Sequence, residues 1–276
     1  MKILLLLILV SCTNLFYQPS NRQFFKPEAF KLAYEDVYFE SSDGNKLHGW
    51  FFKGKGKGSP KGTIVHFHGN AENISSHFLN LAWLVNEGYN LFTFDYRGYW
   101  LSEGHANPDG VYRDSIAALE KAMELHQSAG GNHFVVFGQS LGGVISLRAI
   151  PDFKAKEKIT LIVQDSTFSS YEDIAVDKLS SVWFLWPLSP LGYVLISDKY
   201  ASEDVFKQIT LPTLVITGGK DHVMPAKFGK RIYKGIASEK KWWWHVENAP
   251  HISAFHVDQG KWRSEFLVLL DQTRPR

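Results

Sequence analysis

Between residues 63 and 236, short and largely apolar runs alternate with stretches of helical period, and nothing else in the chain narrows its fold as far. The runs 134–137, 161–163 and 214–216 are apolar throughout, and 63–67 and 91–94 are apolar but for Thr63, His66 and Thr93. Between and after them, residues 74–86, 111–127, 141–150, 171–179 and 226–236 carry helical spacing. Strands that are apolar at every position are buried on both faces, which is the mark of a parallel sheet covered by helices. Two further strands precede the alternation, at 36–40 and 47–52, joined by the turn residues Ser42-Asp43-Gly44-Asn45. An eighth, 242–246, follows it; its three tryptophans alternate across the strand and are expected in the core. The expected fold class is α/β, a mostly parallel central sheet with helices on both faces.

Length and composition agree with one large core. The chain has 276 residues, 45% of them hydrophobic and 14% aromatic, with 21% charged. Those values exclude a disordered or fibrous chain. No Pro/Gly-rich linker and no internal repeat divides it. The net charge is +2 and no basic block tracks a polyanion, so nucleic acid is not an expected partner.

The N-terminus is the most distinctive local segment. After Lys2, residues 3–10 are eight uninterrupted apolar positions, too few to span a bilayer but suited to a secretory leader. The single cysteine of the chain, Cys12, follows directly. Leu9-Val10-Ser11-Cys12 resembles the bacterial lipobox, which implies a leader over residues 1–11 and a lipid attached at Cys12. It also implies a membrane-anchored protein of the cell envelope, at the outer membrane or on the periplasmic face. With one cysteine no intramolecular disulfide can form. Residues 12–31 read as a tether, and 32–276 as the folded domain. The lysine–glycine alternation at 53–62 reads as a solvated hairpin loop. Residues 180–196 are apolar and broken by Pro187 and Pro190. The plain expectation is a helix packed on the core; a lid, within an insertion over 166–210, or a membrane-facing patch are the alternatives.

Chemistry concentrates at Gly138-Gln139-Ser140-Leu141-Gly142, which directly follows one expected strand and opens a helix. A strand-to-helix turn this sharp strains its central residue, and glycines two positions either side let the flanking backbones approach. The helix start behind Ser140 offers unpaired N–H groups to a developing oxyanion. A serine hydroxyl needs a base within reach, itself oriented by an acid. Asp221 lies just past the strand at 214–216, and His251 lies in a loop before the last helix.

At these residues the chain resembles the α/β-hydrolase family, over nearly everything from Val37 to Leu270. The resemblance rests on His68-Gly69-Asn70-Ala71-Glu72-Asn73, Asp95-Tyr96-Arg97-Gly98-Tyr99, the motif around Ser140, Asp165-Ser166-Thr167-Phe168, Gly219-Lys220-Asp221-His222-Val223-Met224-Pro225, and Pro250-His251. These pieces are similar to the capless or small-cap serine hydrolases of that fold. The resemblance implies Ser140 as nucleophile, His251 as general base and acid, and Asp221 as orienting carboxylate. It implies an oxyanion hole from the backbone N–H groups of Leu141 and Asn70, and neither a cofactor nor a metal. Trp100 departs from the family's glycine and is expected near the mouth of the site.

Other titratable residues compete for these roles. Asp165 also ends a strand on the same sheet edge, as a rival acid or as a cap for the next helix. Asp173 is expected in solvent on a helix, and His222 and His245 as structural. His66 and His68 have a spacing that suits a metal but lack a third ligand cluster. Asp95 and Arg97 are expected to fix a loop through ion pairs. The leading functional expectation is a serine hydrolase of carboxylic esters, with lipid esters and thioesters close behind. The alternatives are a serine peptidase and a catalytically silent envelope binding protein on the same fold. The oligomeric state is left open.

Overall fold

All eight expected runs form strands in a computed structural model of the chain, which describes residues 12–275. They are β1 (Glu35–Glu40), β2 (Lys46–Phe52), β3 (Gly62–Phe67), β4 (Tyr89–Phe94), β5 (His133–Gln139), β6 (Leu161–Asp165), β7 (Thr213–Gly218) and β8 (Lys241–Val246). They pair in one sheet in the order β1-β2-β4-β3-β5-β6-β7-β8. The first two pairings, β1 with β2 and β2 with β4, are antiparallel, and the rest are parallel. The helices are α1 (Ile74–His77), α2 (Trp83–Asn86), α3 (Pro108–Ala129), α4 (Leu141–Ala149), α5 (Tyr171–Ser180), α6 (Gly192–Leu195), α7 (Ala226–Gly235) and α8 (Lys261–Gln272).

Successive strand residues serve opposite faces. Val65, Val136, Ile162 and Val215 join a core with Leu119 of α3, Val144 of α4 and Ile232 of α7. Ile64, Val135, Val163 and Leu214 join a second with Ile74, Leu84 and the α8 residues Phe266 and Leu270. Both faces of the central strands are therefore sealed, as continuous apolar runs require.

Several local expectations are corrected. Residues 74–86 are not one helix: 78–80 tighten into a 3-10 turn and Leu81 opens to φ −118°. The break lets Phe78 stack on Phe52, with centroids 5.6 Å apart, while Leu84 and Val85 still reach the core. The loop at 53–62 is not a hairpin, because β4 lies between β2 and β3. Trp242, Trp243 and Trp244 are only half-buried, since β8 is an edge strand with β7 as its one neighbour. Trp244 instead packs on Trp262 at 5.3 Å.

The leader expected over residues 1–11, and the side chain of Cys12, lie outside the described residues. Residues 13–31 do not hang free as a tether. Thr13 and Tyr17 are buried, and the stretch from Gln18 to Phe25 runs along the loop after β3. The 180–196 segment follows α5 through a 3-10 turn, Trp186–Leu191, into α6. Its large apolar side chains face outward rather than into the core. Among the described residues, no helix is long and apolar enough to cross a membrane.

Candidate active site

Ser140 sits between the end of β5 and the first residue of α4, at φ 52° and ψ −120°. An L-residue holds that left-handed φ only where its surroundings over-determine it. Two glycines remove the obstacles. A Cβ on Gly142 would meet the Phe67 carbonyl oxygen at 2.1 Å, and one on Gly138 would meet Ser146 Oγ at 2.5 Å. The turn is then pinned from β6: the Ser140 amide donates to the Asp165 carbonyl at 2.9 Å, and the Thr167 hydroxyl donates to the Ser140 carbonyl at 2.5 Å.

The loops after β7 and β8 bring the other two residues to the same place. His251 Nε2 is 3.0 Å from Ser140 Oγ, and its Nδ1 is 2.8 Å from Asp221 Oδ2. An ionised carboxylate only accepts, so Nδ1 carries the proton and Nε2 is left to accept from the serine hydroxyl. The other oxygen of Asp221 accepts from the amides of Val223 at 2.9 Å and Met224 at 2.7 Å, which fixes the carboxylate's plane. Asp221 is buried and His251 half-buried. The three side chains form a chain with hydrogen-bond contact at both links, the geometry that a nucleophile–base–acid relay requires.

Asp165 is not in that relay. Its carboxylate accepts from Gln139 Nε2 at 2.9 Å and Ser166 Oγ at 3.1 Å, and complete burial pushes its pKa up to about 6. Nor does it cap the next helix: α5 is capped by Ser170, whose hydroxyl accepts from the Asp173 amide at 3.0 Å. Asp173 is not free in solvent but pairs with Arg231. His245 lies on β8 beside Thr217 Oγ1 at 3.1 Å. His222 is exposed, and its carbonyl accepts from Lys178.

Leu141 opens α4, so its amide is one of the N-terminal donors that lack an intrahelical acceptor. Asn70 lies in the loop after β3, which passes so close to Ser140 that a Cβ on Gly69 would lie 3.3 Å from the serine Cβ. Ala71 and Glu72 both adopt φ 55°. Two consecutive non-glycine residues in that region need outside support. The Ile74 amide donates to Asp95 Oδ1 at 3.0 Å, and the Ala71 carbonyl stands 3.2 Å from His77 Nε2. Burial drives the His77 pKa down to about 3, so the ring is neutral and can donate through Nε2. His68 stacks on His77 at 5.1 Å and turns its Nδ1 to the Gly69 carbonyl at 2.7 Å. His66 faces Gln139 Oε1 at 2.9 Å. These histidines shape the loop and the floor beneath it.

Arg97 is directed away from Ser140, toward Asp114 and Asp43. Trp100 is also turned aside: its ring meets His48 at 5.4 Å and Trp50 at 5.3 Å, over β2. Its neighbour Tyr99 approaches the site instead, with its hydroxyl 3.3 Å from Asn70 Oδ1. Sequence reasoning missed the N-terminal strap. The Gln18 amide donates to Asn70 Oδ1, the Ser20 amide to the Glu72 carbonyl, and Asn73 Nδ2 to the Ser20 and Arg22 carbonyls. A polar, turn-prone stretch gives no periodic signal that would reveal such a clamp.

The strand order and the sharp turn at Ser140 define an α/β-hydrolase fold. A family profile described as "Serine aminopeptidase, S33" matches residues 58–194. The YfhR protein of Salmonella typhi is 33% identical over 254 residues, covering 88% of this chain and 82% of that one. The Arabidopsis thaliana "alpha/beta hydrolase domain-containing protein WAV2" is 31% identical over 84% of this chain and 75% of its own. Among solved structures, the Pyrococcus furiosus esterase Pf2001 superposes with a TM-score of 0.73 at 20% identity, over 94% of this chain and 98% of that one. The chain belongs to the α/β-hydrolase family.

Proposed function

We propose that the chain is a serine hydrolase that cleaves carboxylic esters through an acyl-enzyme on Ser140. The observation that carries this reading is the Asp221–His251–Ser140 relay, with contacts of 2.8 and 3.0 Å. Ser140 Oγ attacks the acyl carbonyl carbon as its proton passes to His251 Nε2. The amides of Leu141 and Asn70 hold the oxyanion. Collapse expels the alcohol, which takes the proton from His251 and leaves an ester on Ser140. Water, deprotonated by the same nitrogen, then attacks that ester and releases the carboxylic acid. Asp221 fixes the tautomer throughout and stabilises the imidazolium. The relay is the same for lipid esters, thioesters and peptides; the name of the Pyrococcus esterase favours the ester. The description "Serine aminopeptidase" keeps a peptide substrate as the second reading.

The test is hydrolysis of p-nitrophenyl esters from acetate to palmitate, beside Ser140→Ala. Turnover in the native chain and its loss in the variant are expected. If esters remain intact while an aminoacyl anilide is cut, the peptidase reading replaces it. If a fluorophosphonate probe also leaves Ser140 unlabelled, the chain is a silent binding protein. As to location, we propose that the chain is held at the cell envelope by lipid on Cys12. Incorporation of labelled palmitate, lost in Cys12→Ala, is the expected result.

A further inference from the structure

The segment between α5 and β7 carries its largest apolar side chains into solvent. Trp183 is 86% exposed, Val194 74% and Trp186 64%, and Leu15, which lines a groove with Leu188 and Leu191 of the same segment, is 68% exposed. Soluble monomers rarely leave such a contiguous patch open without a use for it. The patch also has depth. Leu15 and Phe16 form one wall of a groove of about 410 Å³, and Leu179, Leu188, Leu191 and Leu195 form another. Phe16 is locked in place by Tyr171, with centroids 5.2 Å apart. The groove is therefore built on the body and does not depend on a loose arm.

Two features identify what covers this face. The apolar run at residues 3–10 joins the described chain at Cys12, three residues before Leu15. Lipid attached at Cys12, as proposed above, would therefore sit near the groove's edge. The patch also mixes tryptophan and tyrosine, at 183, 186 and 193, with leucine and valine. Side chains with an apolar body and a polar edge favour the boundary between lipid and water. A chain partner would explain the area but not its nearness to the proposed lipid-attachment site.

We infer that this face docks on a phospholipid bilayer, as a second contact beside the lipid proposed at Cys12. A single anchor leaves a globular body free to tumble, and a second apolar contact fixes its orientation. The face adjoins the proposed catalytic site through α5, because Lys178 at the groove's rim donates to the carbonyl of His222, next to Asp221. The docking stands whatever bond Ser140 cleaves.

The test mixes the full chain with phosphatidylethanolamine–phosphatidylglycerol vesicles whose acyl chains carry bromine, and follows tryptophan quenching. Strong quenching is expected in the native chain and in Ser140→Ala. It should fall several-fold in Trp183→Ser/Trp186→Ser. The double variant Leu15→Asp/Val194→Asp keeps all nine tryptophans and should lose the same quenching. Both variants should retain the native circular dichroism and p-nitrophenyl acetate turnover, which separates this outcome from failure of the hydrolase reading. Equal quenching in native chain and variants overturns the inference. So does a dimer in sedimentation that Leu15→Asp/Val194→Asp dissociates, since a second copy would then cover the face.

Discussion

The backbone amide of Gln18 donates to Oδ1 of Asn70 at 2.8 Å, which ties the N-terminal strap to the loop beside Ser140. The same oxygen accepts from the Ala71 amide at 2.7 Å and stands 3.3 Å from the Tyr99 hydroxyl. One side-chain atom thus orients a loop whose next two residues are held at positive φ. Asn70→Ala keeps the backbone N–H proposed to bind the oxyanion but releases all three contacts. Displacement of a catalytic group by about 1 Å costs up to about a hundredfold. We expect kcat to fall about ten- to a hundredfold with KM nearly unchanged. Steady-state kinetics on a soluble ester would check this; an unchanged kcat would show that the strap does not set the loop.

The carboxylate beside His251 can be tested in the same way. Asp221→Asn presents an amide where His251 Nδ1–H needs an acceptor, and the wrong tautomer costs on the order of 10⁴ in kcat. Asp165 touches Gln139 and Ser166 instead, so Asp165→Asn should cost less than about tenfold. Measuring kcat for both variants ranks the two carboxylates, and a larger loss at Asp165 would reverse their roles.

The sheet was legible because a strand buried on both faces is apolar along most of its length, as the runs around Val65, Val136 and Val163 are. The turn at Ser140 was legible because only glycine fits at positions 138 and 142. Tertiary competition hid the rest. Residues 74–86 carry one helical period, yet Phe78 is drawn onto Phe52 and breaks it. The tryptophans of β8 alternate as a core strand would, but nothing in their spacing says that β8 ends the sheet. The clamp from Gln18 to Phe25 is made largely by backbone groups, which every residue carries, so no side-chain pattern announces it.

Acid should destabilise the fold. Burial pushes the pKa of His77 down to about 3 and of His133 to about 4, and lowers that of His66 as well. In the unfolded chain each titrates near 6.5. Below about pH 6.5 the unfolded state therefore binds more protons, and stability is lost as pH falls toward 4 and then 3. His77 and His133 each account for up to about 2 kcal/mol at pH 5. Asp165, raised to about 6, works the other way between 3.8 and 6, as do Asp114 and Glu172, whose carboxyls burial also raises, but burial lowers His126 and His256 as well, so five histidines oppose these three. Thermal unfolding at pH 7, 6 and 5 should show a falling midpoint. His133→Gln, away from Ser140, should flatten that fall; an unchanged slope would rule His133 out as a source.

Arg97 is held by two acids in different surroundings. Its Nε and Nη2 donate to buried Asp114 at 3.0–3.1 and 2.7 Å, and Nη1 and Nη2 donate to Asp43 at 3.0 Å each. The guanidinium's hydrogen bonds pull the Asp43 pKa down to about 2, whereas burial leaves that of Asp114 raised in spite of the same partner. Asp114 is thus the costly member, a carboxylate inside the protein that Arg97 keeps charged. Arg97→Met strands it and should destabilise by about 3–5 kcal/mol. Arg97→Lys recovers only part, because an ammonium lacks the planar fork that satisfies both acids. The double variant Arg97→Met/Asp114→Leu removes the stranded charge together with its partner and should regain most of the loss. Urea unfolding of the three variants gives the comparison. A double variant no more stable than Arg97→Met alone would mean that Arg97 acts through packing and not through the charge on Asp114.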